Sequence, residues 1–280
     1  MKEGIKTAAI AFFGTAGKVL PSQGHAILTY HSLDDSQTVV STPPWAFQVH
    51  MNRLKSRGFC VTSVQPLVEH LKNGTPIPRR TVFLTFDDGL QNIHSTAFPL
   101  LQELGFQATV FLATDYVGGK AQWYEDAGIP ALPMLTWNQI EEMREYGIDF
   151  QAHTRSHPHL PQLSLKRAEE EIRSSKDVIE QRLGRPVEFF AYPFGEYTPE
   201  LMELARSIGF AGACTTEVGL FVPGQDRYAI KRMGLNYSRV STTLQALGTI
   251  DACVGGTFAW YRRAARSLNQ LRVPPGPRQR

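Results

Sequence analysis

Thr81-Val82-Phe83-Leu84-Thr85-Phe86-Asp87-Asp88-Gly89 is a buried-strand pattern that stops abruptly at two carboxylates and a glycine. Two carboxylates that close repel each other unless a cation compensates them or one takes up a proton, which points to a metal or acid/base site. Asp and Gly are also ordinary turn residues, so an Asp-Asp-Gly turn explains the segment taken alone. The rest of the chain decides between the two.

Working outward, short β-branched or aromatic runs alternate with amphipathic helical segments from about Ala26 to about Ser267. That alternation is the signature of repeated β-α units and a parallel sheet. The expected strands are Ala26–Tyr30, Phe59–Val64, Thr81–Phe86, Ala108–Leu112, Ile148–Ala152, Glu188–Ala191, Ala211–Thr215 and Tyr228–Arg232. Thr136-Trp137-Asn138-Gln139 has the form of a capping box, and Thr198-Pro199 places an N-cap before a first-turn proline. Ser164 opens the longest helix, with Leu165, Ala168, Ile172, Val178 and Ile179 as its expected buried stripe and Gly184 and Pro186 as its stop. Gly118 to Pro133 is the longest stretch without periodicity, and it carries Trp123 and Tyr124.

A second polar cluster follows the strand ending at Ala152: His153-Thr154-Arg155-Ser156-His157. Histidines four apart share a face on a helical turn and can share a metal ion. Added to Asp88 they make a two-His, one-carboxylate set with open positions for water and substrate, which is the pattern of a catalytic site. Phe189-Phe190-Ala191-Tyr192-Pro193-Phe194-Gly195 is again strand-like and ends in a turn, and His31 stands at the end of the first strand. All four sites lie just past the carboxyl ends of different strands. In a parallel β/α barrel that face gathers catalytic residues, so topology alone would bring them together.

With these motifs assembled, Thr85-Phe86-Asp87-Asp88-Gly89, His153-Thr154-x-x-His157 and Tyr192-Pro193-x-Gly195 resemble the ordered motifs of the polysaccharide deacetylase family (NodB homology, carbohydrate esterase 4). The resemblance runs from roughly His25 to Asn236, and the Leu28-Thr29-Tyr30-His31 opening is similar to the poly-N-acetylglucosamine deacetylase branch. It implies a single-domain α/β fold, an irregular (β/α)7-type barrel, that binds zinc or a similar divalent ion and hydrolyses N-acetyl groups on an amino-sugar glycan. It makes Asp87 the general base, Asp88, His153 and His157 the metal ligands, and the Phe194 backbone N–H an oxyanion donor.

The chain departs from the common family pattern in three places, one being the late Asp-x-x-Asp-Trp element, in whose approximate place Cys214-Thr215-Thr216-Glu217 stands. No histidine follows His159, so the late general acid is missing and His31 is the expected substitute. Ala191 stands where an arginine commonly tethers the catalytic aspartate. Either Asp87 is oriented by another group, for which Arg232 is the candidate, or it works untethered. Trp123, Tyr124, Tyr192 and Arg232 are the candidate substrate contacts, the first two by stacking on sugar rings. A deformylase or related amidohydrolase of a lipid-linked amino sugar, and an inactive carbohydrate-binding barrel, are the competing readings; the complete ligand set argues against the latter.

Bulk properties add limits. The 280 residues suit one large catalytic domain. We expect residues 1–24 to be a helical or leader segment, 25–240 the catalytic domain, and 241–280 a helical extension with a disordered tail. Twenty-nine basic against 26 acidic side chains leave a net charge of +3, too small for nucleic-acid capture. Cys60, Cys214 and Cys253 show neither disulfide nor thiolate-metal spacing. Glu3 interrupts the basic start and Ala8–Phe13 is a short apolar run, so no convincing signal peptide is present and a soluble, cytoplasmic protein is expected. Arg262, Arg263, Arg266 and Arg272 form a basic segment that could touch a membrane, although a solvated face is the commoner arrangement.

Overall fold

The computed structural model describes residues 24–235. The expected leader, carboxyl-terminal extension and basic segment, and Cys253, lie outside the described residues. Among the described residues ten strands run in chain order: β1 (Ala26–Tyr30), β2 (Cys60–Thr62), β3 (Thr81–Phe86), β4 (Thr109–Leu112), β5 (Lys120–Ala121), β6 (Leu132–Pro133), β7 (Asp149–Ala152), β8 (Phe189–Ala191), β9 (Gly212–Val218) and β10 (Ile230–Gly234).

Eight of them are parallel, and seven of these follow one another in the order β1-β10-β9-β8-β7-β4-β3, with β3 pairing back onto β1 from Val82 to Phe86 and so closing a barrel. The irregularity lies at β2. Since β1 occupies one edge of β3, β2 must share the other edge with β4, pairing at Thr81–Phe83 while β4 pairs at Thr85 and Phe86. The eight expected strands all form, with ends displaced by a few residues. The unforeseen elements are the antiparallel pair β5–β6 and the 3-10 segment Gln122–Ala127 between them.

Parity within the strands separates an inside from an outside. Ile27, Phe83, Phe111, Phe189, Ala191, Cys214 and Ile230 form one buried cluster with Val64, Leu67 and Val68 at the start of helix Gln65–Asn73. Leu28, Tyr30, Leu84 and Phe86, of opposite parity, are buried as well. A strand buried on both faces reads as a continuous apolar run, which is why β1 and β3 carry so little polar alternation.

The helix starts follow their sequence signals. Thr136 forms a full capping box with Gln139, and the Ser164 and Thr198 side chains accept the N–H groups of Arg167 and Leu201. Helix Leu165–Leu183 buries Ala168, Ile172 and Ile179 as expected, together with Glu171, Ser175 and Leu183, whereas Leu165 is 55% exposed and Val178 only half-buried. Leu165 sits in the first turn, where its side chain projects past the packed surface, and the buried positions admit one carboxylate for a reason given below.

Candidate active site

Because the barrel strands are parallel, their carboxyl ends form one rim. β1 delivers His31 there, β3 delivers Asp87 and Asp88, β7 delivers His153, and β8 leads into Tyr192-Pro193-Phe194-Gly195. The register keeps these ends level: Tyr30 is aligned with Phe86, Leu112 with Ala152, and Ala152 with Phe190.

Asp88, His153 and His157 each present one ligand atom, all within 4.8 Å of one another. Asp88 Oδ1 lies 3.3 Å from both His153 Nε2 and His157 Nε2. The Ala191 carbonyl accepts from His153 Nδ1 at 2.7 Å, which fixes the tautomer and leaves Nε2 with its lone pair toward the cluster. Asp88 Oδ1 is buried and has no hydrogen-bond partner. A desolvated carboxylate oxygen left over beside two imidazoles is the arrangement a cation satisfies, so this donor set fits a divalent ion. Burial opposes ionisation of Asp88, yet its contacts with the two histidines hold its carboxyl well below the usual carboxylate range.

The backbone under these groups is unusual. Of the six described non-glycine residues with positive φ, four belong here: Asp88 (71°), Thr154 (66°), His157 (56°) and Phe194 (57°). Such conformations cost about 1–3 kcal/mol each and persist where the surroundings over-determine them. For the histidine loop the constraint is Glu171, whose carboxylate accepts from Arg155 N–H at 3.1 Å, Ser156 N–H at 2.9 Å and Ser156 Oγ at 2.9 Å. Thr154 Oγ1 in turn accepts the His157 N–H at 3.1 Å. The Phe194 turn leans on Gly195, where an added Cβ would stand 2.1 Å from Thr216 Oγ1 and 2.5 Å from Thr216 N. Glu171 escaped the sequence reading, although an acid three residues after buried Ala168, on the inward stripe, was the available signal.

Asp87 is also enclosed. Arg232, on β10, donates to its Oδ1 at 2.7 Å and its Oδ2 at 2.6 Å, and also to the Thr215 carbonyl at 3.0 Å. Burial raises the Asp87 carboxyl, but the charge and hydrogen bonds of Arg232 outweigh it, so the group sits below the usual carboxylate range. Arg232 is 1% exposed and lies inside the barrel beneath Asp87, which corrects the expectation of a substrate contact to that of an internal partner. His31 Nε2 is 3.8 Å from Asp87 Oδ2, and the His31 side chain is 18% exposed.

Tyr192 is fully buried against Phe190 and Tyr197, and offers no ring face to solvent. Tyr124 is 5% exposed, with its hydroxyl donating to Asp88 Oδ2, so it too is enclosed and not free to stack on a sugar. Trp123 is half-buried and stacks on His157 at 4.4 Å between ring centroids. Phe194 is 42% exposed and stacks on His159 at 3.9 Å.

The family model described as polysaccharide deacetylase matches residues 74–213, half of the chain, and spans both the Asp87-Asp88 turn and the histidine pair. The chain belongs to the polysaccharide deacetylase family. A poly-beta-1,6-N-acetyl-D-glucosamine N-deacetylase of Staphylococcus epidermidis is 24% identical over 214 residues, covering 73% of this chain and 71% of its own length. The deacetylase PplD of Streptococcus pyogenes, solved with acetate, is 25% identical and superposes with a TM-score of 0.66 over 76% of this chain and 92% of its own. IcaB of Ammonifex degensii, at 22% identity, shares the fold with a TM-score of 0.70 over 84% of this chain and 98% of its own. The barrel that the resemblance implied is thus the family's barrel. Among the described residues of this deacetylase, no helix is long and apolar enough to cross a membrane.

Proposed function

We propose that this deacetylase hydrolyses the N-acetyl groups of an amino-sugar polysaccharide of the poly-N-acetylglucosamine type, with Asp87 as general base and His31 as general acid. The observation that carries the reading is the adjacency of two differently built carboxylates. Asp88 faces two histidines through an unpartnered oxygen, and Asp87, its chain neighbour, faces an arginine and a partly exposed histidine.

Asp88, His153 and His157 would hold the divalent ion, zinc by the chemistry of the donors. When bound, it supplies Lewis-acid polarisation of the acetamide carbonyl and acidification of a water. The chain's own residues do the rest. Arg232 keeps Asp87 ionised and fixes both its oxygens, so the carboxylate accepts the water proton as the oxygen attacks the carbonyl carbon. The Phe194 backbone N–H, in the turn held by Gly195, is the assigned donor to the oxygen that gains negative charge, a contribution of about 3 kcal/mol where such donors have been removed. His31 gives a proton to the amide nitrogen as the C–N bond breaks, so that acetate and a free amino sugar leave. A half-exposed Phe194 beside His159 provides an apolar surface at the rim for the sugar chain.

Acetate release from β-1,6-linked N-acetylglucosamine oligomers by the zinc-loaded full chain, compared with Asp87→Asn, tests this. Release by the wild type and a loss of about 100-fold or more in the variant are expected. Formate release from a matched formamide in place of acetate, or an undiminished Asp87→Asn variant, would overturn it.

A further inference from the structure

The segment Gly118–Pro133, which shows no periodicity in sequence, is fastened to the turn that carries Asp88. Leu135 N–H donates to the Gly89 carbonyl at 2.9 Å, and Gln91 N–H donates to the Pro133 carbonyl at 2.9 Å. Gly118 N–H donates to the Leu135 carbonyl at 2.8 Å, and the β5–β6 pair closes the base of the excursion. Between these anchors the 3-10 turn Gln122–Ala127 ends on Gly128, whose φ of 72° lets its N–H and that of Ile129 return to the carbonyls of Glu125 and Tyr124. The backbone carrying Trp123 and Tyr124 is therefore set against the Asp88-Gly89 turn by bonds independent of either side chain.

From that position each aromatic meets a different member of the candidate metal cluster. Trp123 lies flat on the His157 imidazole, 4.4 Å away and tilted by 16°. The Tyr124 hydroxyl donates to Asp88 Oδ2, while Oδ1 is the oxygen 3.3 Å from both histidine Nε2 atoms and lacks a hydrogen-bond partner. A carboxylate can present one oxygen or two to a cation, and it can rotate between these choices at little cost when neither oxygen is held. A buried hydroxyl bonded to one oxygen removes that choice. Partners that hold a ligating carboxylate in this way are worth roughly 10- to 100-fold in metal affinity.

We propose that Tyr124 is a positioning residue of the metal centre: it ties Asp88 Oδ2 so that Oδ1 alone is presented alongside His153 and His157. This rests on the reading of Asp88, His153 and His157 as metal ligands. It also gives Tyr124 a different task from the sugar stacking expected from sequence, because its ring is enclosed and its hydroxyl is spent on Asp88.

The test uses full-length, metal-free wild-type protein and Tyr124→Phe, which removes one oxygen and keeps the ring. Zn2+ affinity is measured by competition with a chromophoric chelator, and the Co2+ absorption spectrum reports the ligand field, both well below the melting temperature. Tyr124→Phe is expected to bind Zn2+ about 10- to 100-fold more weakly and to shift the Co2+ bands. A purely structural role would lower the melting temperature of the metal-free protein and leave affinity and spectrum at wild-type values; that result overturns the proposal. Wild-type protein that binds no Zn2+ refutes the metal-centre reading itself, and the proposal with it. Wild-type binding with an equal Tyr124→Phe affinity refutes the proposal alone.

Discussion

Arg232 places its two terminal nitrogens 2.7 and 2.6 Å from the two oxygens of Asp87, across 145 residues of chain and with both side chains almost wholly buried. It comes from β10, which pairs with β1, so Asp87 is held by a guanidinium although position 191 carries an alanine. Removing one member of such a pair leaves an uncompensated buried charge, commonly at a cost of about 3–5 kcal/mol. Arg232→Met is expected to lose that much stability in urea unfolding. Asp87→Asn/Arg232→Met should recover most of the loss, since no charge is then stranded. A double variant no more stable than Arg232→Met would show that the arginine matters for packing instead.

The donor set of Asp88, His153 and His157 predicts stabilisation by metal. A ligand that binds only the folded state adds about 2.7 kcal/mol at one hundred times its dissociation constant. For a domain of this size that raises the melting temperature by roughly 5–10 °C. Zn2+ should produce such a shift in the wild type, chelation should reverse it, and Asp88→Ala should show none. A shift of equal size in Asp88→Ala would place the binding elsewhere.

Much of this was legible in the sequence because the barrel strands are short β-branched or aromatic runs with punctuated ends, and because Asp87, Asp88, His153 and His157 directly follow such ends. Once the strands are parallel, their carboxyl ends share a rim, and residues that follow them in sequence must meet there. Arg232 was harder to place. A cation within a strand looks the same whether it faces solvent or crosses the interior, and its partner is fixed only when the barrel closes. Trp123 and Tyr124 lie where no periodicity reports direction, so their chemistry as aromatics suggested sugars while their anchors turn them toward Asp88 and His157. Glu171 was hidden because it is one acid among the many of a polar helix, marked only by its spacing from Ala168 and Ile172 on the inward stripe.

His31 is expected to separate binding from turnover. It touches none of the three candidate ligands at hydrogen-bond distance and stands 3.8 Å from Asp87, partly exposed. His31→Ala should keep wild-type Zn2+ affinity while acetate release falls by about 100- to 10,000-fold, the usual worth of a placed proton donor. Parallel losses of Zn2+ affinity and turnover would mark it as a ligand or a structural residue.

His50 gives the fold a dependence on pH that is separate from the chemistry. It is fully buried on helix Pro44–Ser56, with Nδ1 2.9 Å from the Tyr30 hydroxyl and Nε2 unpartnered, and burial lowers its pKa to about 4. In the unfolded chain an imidazole titrates near 6.5. Above about pH 6.5 the group is neutral in both states and its contribution is complete; as the pH falls, the unfolded chain takes up a proton that the folded state refuses until about 4. Stability is therefore lost over that window at up to about 1.4 kcal/mol per pH unit. Replacement by glutamine keeps an acceptor for Tyr30 and removes the titration. Between pH 7 and pH 5, urea unfolding should show the wild type losing about 2 kcal/mol more than His50→Gln. Equal losses would mean that His50 is protonated inside the fold and that its neighbours accommodate the charge.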